Sequence, residues 1–203
     1  MKKKKTSFEK IKKLVDFLYE FRILKYIQRA GLQYLKGPAK ENVAEHSFYT
    51  AIIGWILAKL ENADEEKVIK MCLIHDLPEA RGGEKNLINK FYTQRLNEPK
   101  IIKEITKDHS LEKFFLDELL EEFFKEKTLE ARIVKDADVL AGMLLEKECF
   151  DLGNQKARKW LSFSLKRLKI KKARQLGRFI LKSNTDEWWL NLVNKYILKT
   201  KFF

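Results

Sequence analysis

Three short polar motifs, each in or at the end of an apolar segment with helical spacing, most constrain how this chain of 203 residues can fold. Together they supply two imidazoles and at least two carboxylates, and the whole sequence has only three histidines. Buried imidazole and carboxylate groups need partners, and one divalent metal with open coordination positions would serve both. The fold must therefore bring separate helices to one point. The motifs are Glu45-His46-Ser47, His75-Asp76 and Lys135-Asp136-Ala137-Asp138.

Composition and periodicity predict an all-α protein. Apolar residues make up 45% of the chain, glycine and proline are scarce (8 and 3 residues), and β-branched residues do not alternate with polar ones. We predict a single helical domain over residues 1–203, with a metal-site core at about 29–153 and basic C-terminal helices at about 154–203. Residues 81–97 are predicted to form a long irregular loop over the site that can include a short helix. The predicted helices are Phe8–Ile27, Asn42–Leu60, one from Asp64 to His75-Asp76, Leu111–Phe124, Thr128–Phe150, Gln155–Lys169, Lys171–Lys182 and one that opens at Thr185.

The adjacent pair His75 and Asp76 poses a geometric problem for a metal site. Consecutive side chains on a helix point in directions about 100° apart, so they do not share a face. Both can reach one ion only at a helix end or in a groove between helices. Pro78 disfavours helical geometry at the residue before it, which indicates a helix end just after Asp76.

Four stretches occur in a fixed order: Arg29-Ala30-Gly31, Glu41-Asn42-Val43-Ala44-Glu45-His46-Ser47, His75-Asp76-Leu77-Pro78-Glu79 and Val134-Lys135-Asp136-Ala137-Asp138. This ordered set resembles the HD-domain superfamily of metal-dependent phosphohydrolases, and most resembles its small, all-helical 5'-deoxynucleotidase branch. The similarity covers about residues 29–153 and implies a single-domain helical HD-domain fold. It also implies that His46, His75, Asp76 and Asp138 hold the metal, while Asp136 points elsewhere, orienting a ligand or facing solvent.

The resemblance implies roles for three more charged residues. Glu79 would be the acid/base or water-orienting residue, and Arg29 would bind the substrate phosphate, which a guanidinium fork fits. Glu84 follows Gly83 where many relatives have Gly-Asp, so its carboxylate is one methylene longer, and we keep it as a catalytic candidate. The three residues after Arg29 lack the tryptophan of many relatives, so a preference for deoxyribose is not fixed by the pattern.

Considered one at a time, these residues could have structural roles instead of the functional ones given above. Glu79 could be a surface glutamate near a helix end, and Arg29 could be a solvated arginine before a loop. His46 could be a histidine at a helix start, bonded to Glu45. The metal reading depends on the set as a whole.

The predicted ligand set suits Mn²⁺, Co²⁺, Fe²⁺, Zn²⁺ or Ni²⁺, and Mg²⁺ less well. Dinuclear HD sites generally use more histidines than this set provides. The third histidine of the chain, His109, is not placed to bind a metal, so we expect one divalent metal ion. Such an ion would polarise a phosphoryl oxygen and lower the pKa of a bound water. The predicted function is a 5'-nucleotidase that releases phosphate from (deoxy)nucleoside 5'-monophosphates. The alternative within the superfamily is hydrolysis of another phosphate ester or a pyrophosphate, such as an alarmone or a nucleoside triphosphate.

The net charge of +13 is unevenly distributed. No acidic residue occurs at positions 152–185, whereas residues 111–126 are rich in aspartate and glutamate. This basic stretch could be a solvated Lys/Glu-rich surface, could attract a nucleotide or nucleic acid, or could pack on the acidic stretch within or between subunits. A nucleic-acid-binding protein is thus the alternative of another class. Apolar residues at helical spacing in the same stretch favour packing, so nucleic acid is possible but not favoured, and we expect a homodimer.

Cysteine usage and the start of the chain indicate a cytoplasmic protein without a membrane anchor. Cys72 and Cys149 lie in apolar helical patterns and form no Cys-x-x-Cys pair, as expected of buried thiols in a reducing compartment. The basic start at Met1 is not followed by a long apolar stretch, which argues against a signal peptide and a membrane span.

Overall fold

The computed structural model describes residues 7–36, 40–93, 96–109 and 116–199, and the regular structure over these ranges is helical, which confirms the predicted all-α class. An isolated antiparallel bridge joins Gln28 and Asn42. The helices are α1 (Ser7–Phe21), a 3-10 helix (Arg22–Tyr26), α2 (Leu32–Leu35), α3 (Val43–Glu61), α4 (Glu65–Ile74), α5 (Glu79–Gly82), α6 (Leu87–Tyr92), α7 (Glu98–His109), α8 (Leu116–Lys125), α9 (Leu129–Asp151), α10 (Ala157–Arg167), α11 (Lys171–Lys182) and α12 (Glu187–Lys199).

Helices α3 and α9 form the centre of the protein. α3 packs on α4 and α9, and α9 also contacts α8, α10 and α11. Gly54 allows the close approach of α3 to α4, because a Cβ at this position would lie 2.6 Å from Sγ of Cys72 and 3.1 Å from Cγ1 of Val68. Burial of each large aliphatic side chain in this core contributes about 1.5–3 kcal/mol. Fully buried side chains of the core include Leu57, Met71, Ile133, Leu140, Met143 and Leu161.

Side-chain caps fix where three of these helices begin. Asn42 and Glu45 form a capping box, in which the Asn42 side chain accepts a hydrogen bond from the Glu45 backbone N–H and the Glu45 carboxylate accepts one from the Asn42 N–H. The side chains of Asp64 and Thr128 cap α4 and α9 by accepting a hydrogen bond from the backbone N–H of Lys67 and of Ala131, without the reciprocal bond of a capping box. The capping box places His46 in the first turns of α3, at one end of the helical core.

The C-terminal helices share the same core. Leu161 of α10, Leu168 at the C-cap of α10 and Ala173 of α11 are buried with the residues of α3, α4 and α9. Asp136 of α9 holds this part in place, because its carboxylate accepts hydrogen bonds from the backbone N–H of Lys169 at 3.0 Å and of Ile170 at 2.7 Å. Asp136 is 1% exposed, so the expectation that it faces solvent or orients a ligand was wrong.

Several helix boundaries differ from the sequence prediction. The predicted first helix ends at Phe21 and continues as a 3-10 helix. The predicted loop at 81–97 includes the short helix α6, which the sequence prediction allowed. Helix α7 was missed, although Ile102 and Ile105 are buried at helical spacing and Pro99 falls in the first turn, where proline is tolerated. Residues 110–115, where we predicted the first turn of the helix before Thr128, lie outside the described residues. Within the described ranges, no helix has the length and apolarity needed to cross a membrane.

Candidate metal centre

Two histidines and an aspartate from distant parts of the chain converge at one end of the core. Possible ligand atoms of His46, His75 and Asp76 all lie within 4.8 Å of one another. Asp138, from the middle of α9, joins them through a 3.0 Å contact between its Oδ1 and Nε2 of His46. The structure therefore brings together all four residues that the resemblance implied as metal ligands.

The position at which α4 ends explains how the consecutive residues His75 and Asp76 can both face the cluster. α4 ends at Ile74 and His75 is its C-cap, so Asp76 lies in a turn rather than on a helix face. As a result, Nε2 of His75 and Oδ2 of Asp76 approach to 3.2 Å. Nδ1 of His75 lies 2.7 Å from the carbonyl oxygen of Cys72. Because a carbonyl only accepts, Nδ1 carries a hydrogen, and this contact orients the ring so that Nε2 faces the cluster.

Buried polar atoms without a hydrogen-bond partner mark this cluster as a candidate site for a cation. Among the described residues they include Nε2 of His75 and Oδ2 of Asp76, although these two atoms are close. Nδ1 of His46 and Oε1 of Glu41 are also buried without such a partner, 3.5 Å apart. Polar groups of this kind are costly to bury unsatisfied, and the donor set of two imidazoles and two carboxylates fits a divalent transition metal.

Opposite charges that face each other in the cluster shift the pKa values of its side chains. Burial raises the pKa of Asp138, but the contact with His46 outweighs burial and lowers this pKa well below its usual range. Burial also raises the pKa of Asp76, but neighbouring His75 outweighs burial and lowers this pKa to about 2. Burial lowers the pKa of His46, but the Asp138 and Glu41 carboxylates outweigh it and raise the value to about 9. Both aspartates are thus ionised at neutral pH, the form in which a carboxylate binds a metal.

Arg29 lies beside the cluster and is held there by carboxylates. Its Nη1 is 2.9 Å from Oε1 of Glu84 and 3.6 Å from Oδ2 of Asp76, and its Nε is 3.8 Å from Oε1 of Glu41. Its backbone N–H donates to the carbonyl of Glu41 at 2.9 Å, which ties this segment to the start of α3. The side chain of Arg29 is 19% exposed, so it is not the solvated arginine of the structural alternative.

The two glutamates predicted to be catalytic lie in different environments. Glu79 begins α5, one turn after Asp76, and its Oε2 is buried without a hydrogen-bond partner. Burial, together with the Asp76 and Glu84 carboxylates, raises the pKa of Glu79 to about 9. In Glu84, by contrast, Oε1 binds Arg29 and Oε2 accepts a hydrogen bond from the backbone N–H of Ala30. Glu84 is therefore placed to position Arg29.

Comparison with known proteins agrees with this arrangement. The sequence profile of the HD domain family matches residues 21–178. The chain belongs to the HD domain family. This confirms the predicted superfamily of metal-dependent phosphohydrolases, whose members use divalent metals.

Solved structures with the same fold come from archaea, a bacterium and a bacteriophage. A conserved hypothetical protein from Pyrococcus furiosus is 28% identical, with a TM-score of 0.69 over 83% of this chain and 99% of the other. A predicted metal-dependent phosphohydrolase from Magnetospirillum magnetotacticum MS-1 is 23% identical, with a TM-score of 0.65 over 86% and 92%. The cyanophage S-2L HD phosphohydrolase DatZ, bound to dA and one catalytic Zn²⁺, is 19% identical, with a TM-score of 0.53 over 81% and 96%. A search of curated proteins found no match.

Two residues of this HD domain site were missed at the level of sequence. Glu41 lies against both His46 and Arg29, and its position just before the Asn42 cap was the available signal. Lys135 places its Nζ 3.4 Å from the ring centroid of Phe123, whose ring packs at 5.5 Å against that of His75. Lys135 precedes Asp138 by three residues, so the two share a helix face. That spacing was the signal that could have found it.

The structural alternative for His46 does not hold. Glu45, the proposed partner of His46, instead completes the capping box with Asn42. His46 is fully buried and contacts Asp138 and Glu41, which belong to α9 and to the segment before α3. An imidazole held between two carboxylates is oriented for a specific contact rather than for capping a helix.

Proposed function

We propose that this HD domain protein hydrolyses nucleoside 5'-monophosphates, deoxy forms included, to nucleoside and phosphate. The observation that carries the proposal is the position of Arg29, whose guanidinium lies 3.6 Å from Asp76, one of the four clustered metal-ligand side chains. A cation-binding cluster with an arginine at its edge is arranged to hold one phosphate group between them.

His46, His75, Asp76 and Asp138 would hold the metal, and their donor set supports Mn²⁺, Co²⁺, Fe²⁺, Zn²⁺ or Ni²⁺ over Mg²⁺. When bound, the ion would supply Lewis-acid stabilisation of charge on the phosphate oxygens and acidify a water molecule. Glu41 would orient the ring of His46, since its Oε1 lies 3.5 Å from Nδ1 on the side of the ring away from Asp138.

Arg29 would bind the phosphate oxygens with its planar fork, which stays charged at any relevant pH. Glu84 keeps this guanidinium in place through the 2.9 Å ion pair. Lys135, held over Phe123, would add positive charge on the side of Asp138. The phosphate would thus be recognised by two cations of the protein, whatever base the nucleotide carries.

Glu79 would move the proton that the reaction requires. Hydrolysis adds water across the P–O5' bond, so the water oxygen bonds to phosphorus, the ester bond breaks, and one proton reaches the leaving nucleoside oxygen. Its buried carboxyl, with a pKa raised to about 9, can hold a proton at neutral pH. A group that can both accept and donate near neutral pH suits general acid–base catalysis.

Phosphate release from a panel of nucleotides tests the proposal. The protein is stripped with a chelator, loaded with single divalent metals, and assayed with ribo- and deoxynucleoside mono-, di- and triphosphates. We expect metal-dependent release from the 5'-monophosphates. The nucleoside bound to the cyanophage HD phosphohydrolase makes deoxyadenosine monophosphate a reasonable first probe. Release from triphosphates or other phosphate esters, with none from monophosphates, would contradict the proposal and favour the alternative HD hydrolase.

A further inference from the structure

Helix α5 carries Glu79 but is too short to be stable by itself. It spans the four residues Glu79–Gly82, and a single helical turn gains too few hydrogen bonds to offset the cost of nucleation. The backbone N–H groups of these four residues bond to carbonyl oxygens of residues 76–78, so these bonds do not connect α5 to another helix. The position of the Glu79 carboxyl therefore depends on side-chain contacts between α5 and its neighbours.

Arg81 makes such contacts with two other helices. Its Nε and Nη2 bind the two carboxylate oxygens of Glu20 on α1, the contact of Nη2 with Oε2 being 3.0 Å long. Its Nη1 lies 3.2 Å from Oε2 of Glu104 on α7. The side chains of Arg81 and Glu20 are 33% and 19% exposed, so their ion pair is partly shielded from water. A planar guanidinium bound in this two-pronged way is fixed in direction as well as in distance.

Arg81 and Glu79 lie on different sides of α5. Residues two positions apart on a helix point in directions about 200° apart. Oε2 of Glu79 is buried beside the cluster of predicted metal ligands, whereas all three nitrogens of the Arg81 guanidinium contact Glu20 or Glu104. Any effect of Arg81 on the reaction must therefore pass through the backbone of α5.

Glu20 belongs to a helix that the HD domain profile does not cover. The matched segment begins at residue 21, and Glu20 lies in the last turn of α1. The helix dipole disfavours a negative charge there unless a cation offsets it, which the Arg81 guanidinium does. Helix α1 packs on α7 and on the 3-10 helix, and the 3-10 helix contacts α5 in turn. The surroundings of α5 thus include a part of this chain that precedes the matched domain.

We propose that Arg81 is a positioning residue for the hydrolysis, because its contacts with Glu20 and Glu104, here called the Arg81 clamp, hold α5 where Glu79 can transfer a proton. The inference rests on the proposed function for the role of Glu79, but the fixing of α5 is independent of the substrate. Proton transfer requires heavy atoms about 2.6–3.2 Å apart, and a shift of about 1 Å can cost about 10²-fold in rate. A partly exposed ion pair adds little to global stability, so loss of the clamp should affect the rate much more than the stability.

Hydrogen exchange tests the Arg81 clamp without any substrate. We expect Arg81→Ala and Glu20→Gln each to raise the amide exchange rates of residues 79–83 about 10-fold, with the amides of α3 and α9 unchanged. The matched control is Lys12→Ala, which removes the exposed 2.7 Å ion pair to Asp16 on α1 and should leave the exchange of 79–83 as in the parent protein. If circular dichroism shows that Arg81→Ala loses helix content, Glu20→Gln, which keeps the size of the side chain, carries the test.

Steady-state kinetics of the metal-loaded protein test the positioning role. We expect kcat for a nucleoside monophosphate to fall about 10-fold or more in Arg81→Ala. Metal content should be unchanged and KM should stay within about twofold, since Arg29 and the predicted metal ligands keep their places. In a Glu79→Gln background, Arg81→Ala should have no further effect on kcat, because Arg81 acts through the residue already replaced.

The outcomes separate the clamp from the proposed function. Unchanged exchange of 79–83 in both variants would overturn the clamp. Faster exchange with an unchanged kcat would overturn the positioning role, and so would an equal further loss of kcat in the Glu79→Gln background. A parent protein that releases phosphate from no monophosphate would instead contradict the proposed function, and the exchange of 79–83 would still decide whether Arg81 holds α5.

Discussion

Nε2 of His46 lies 3.0 Å from Oδ1 of Asp138, although 92 positions separate these residues in the sequence. The contact joins the first turns of α3 to the middle of α9, which are the two central helices of the core. The packing that stabilises the fold therefore also assembles the candidate metal centre.

Asp138 and Asp136 should respond in opposite ways to the same substitution. Asp138→Asn removes a charge from the ligand cluster, so we expect metal content and phosphate release to fall at least 10-fold. Asp136→Asn should keep the metal and lower the stability by about 1–2 kcal/mol, since it weakens the hydrogen bonds to the N–H groups of Lys169 and Ile170. Elemental analysis and chemical denaturation of both variants check this. Full metal occupancy in Asp138→Asn would remove Asp138 from the ligand set.

Glu79 should act in turnover and not in metal binding. Glu79→Gln keeps the size of the side chain but can no longer exchange a proton, so we expect metal content to be unchanged and kcat to fall about 10²-fold or more. Elemental analysis and steady-state kinetics measure the two effects separately. Full activity of the variant would exclude Glu79 from the mechanism.

Arg29→Lys should weaken the use of every nucleotide by a similar factor. An ammonium cannot reproduce the planar, two-pronged contact of a guanidinium with phosphate, and the phosphate is common to all the substrates. Values of kcat/KM over the four bases and both sugars provide the test. Glu84→Gln, which weakens the ion pair to Arg29, should show the same uniform loss to a smaller extent. A loss that depends on the base would instead make Arg29 a base-reading residue.

The basic stretch 152–185 should be dispensable for monophosphate hydrolysis. Lys169 forms an ion pair with Glu126 and is left unchanged, whereas Lys166, Lys172 and Arg178 are available for substitution. Changing these three to Glu should leave turnover nearly intact, and the parent protein should bind oligonucleotides weakly at physiological salt. Fluorescence anisotropy over a salt series measures the binding. Tight, steeply salt-dependent binding that the triple variant abolishes would support the nucleic-acid alternative.

Glu146 should make stability depend on pH. Ser164 donates a hydrogen bond to its Oε1 at 2.9 Å, but its Oε2 is buried without a partner, and burial raises its pKa from 4.5 to about 7. Between these values the folded protein retains a proton that the unfolded chain has lost, so the free energy of unfolding falls as pH rises through this window. The full effect, above pH 7, is on the order of 3 kcal/mol.

Chemical denaturation at pH 5 and pH 8 tests this linkage. Glu146→Gln should be close to the parent protein at pH 5 and more stable than it at pH 8, because the amide carries no charge at either pH. The matched control is Glu148→Gln, which makes the same chemical change at an exposed side chain on the same helix. An equal effect of Glu146→Gln at both pH values would show that Glu146 does not titrate in this window.

The sequence by itself determined the all-α class, the caps at Asn42, Asp64 and Thr128, and the residue types of the metal cluster. These features are local, since a helix cap and a helical period depend on residues a few positions apart. The end of α4 near Asp76 could also be predicted, because Pro78 restricts the residue before it.

Only the tertiary structure decided which side chains meet. From sequence, nothing local distinguishes Asp136, which holds the start of α11, from Asp138, which contacts His46; the rotation of α9 against its neighbours separates them. The same holds for Glu84, whose carboxylate pairs with Arg29 and accepts a hydrogen bond from the N–H of Ala30, 54 positions away in the sequence. Contacts between distant residues depend on how helices pack and cross, and local periodicity does not encode that angle.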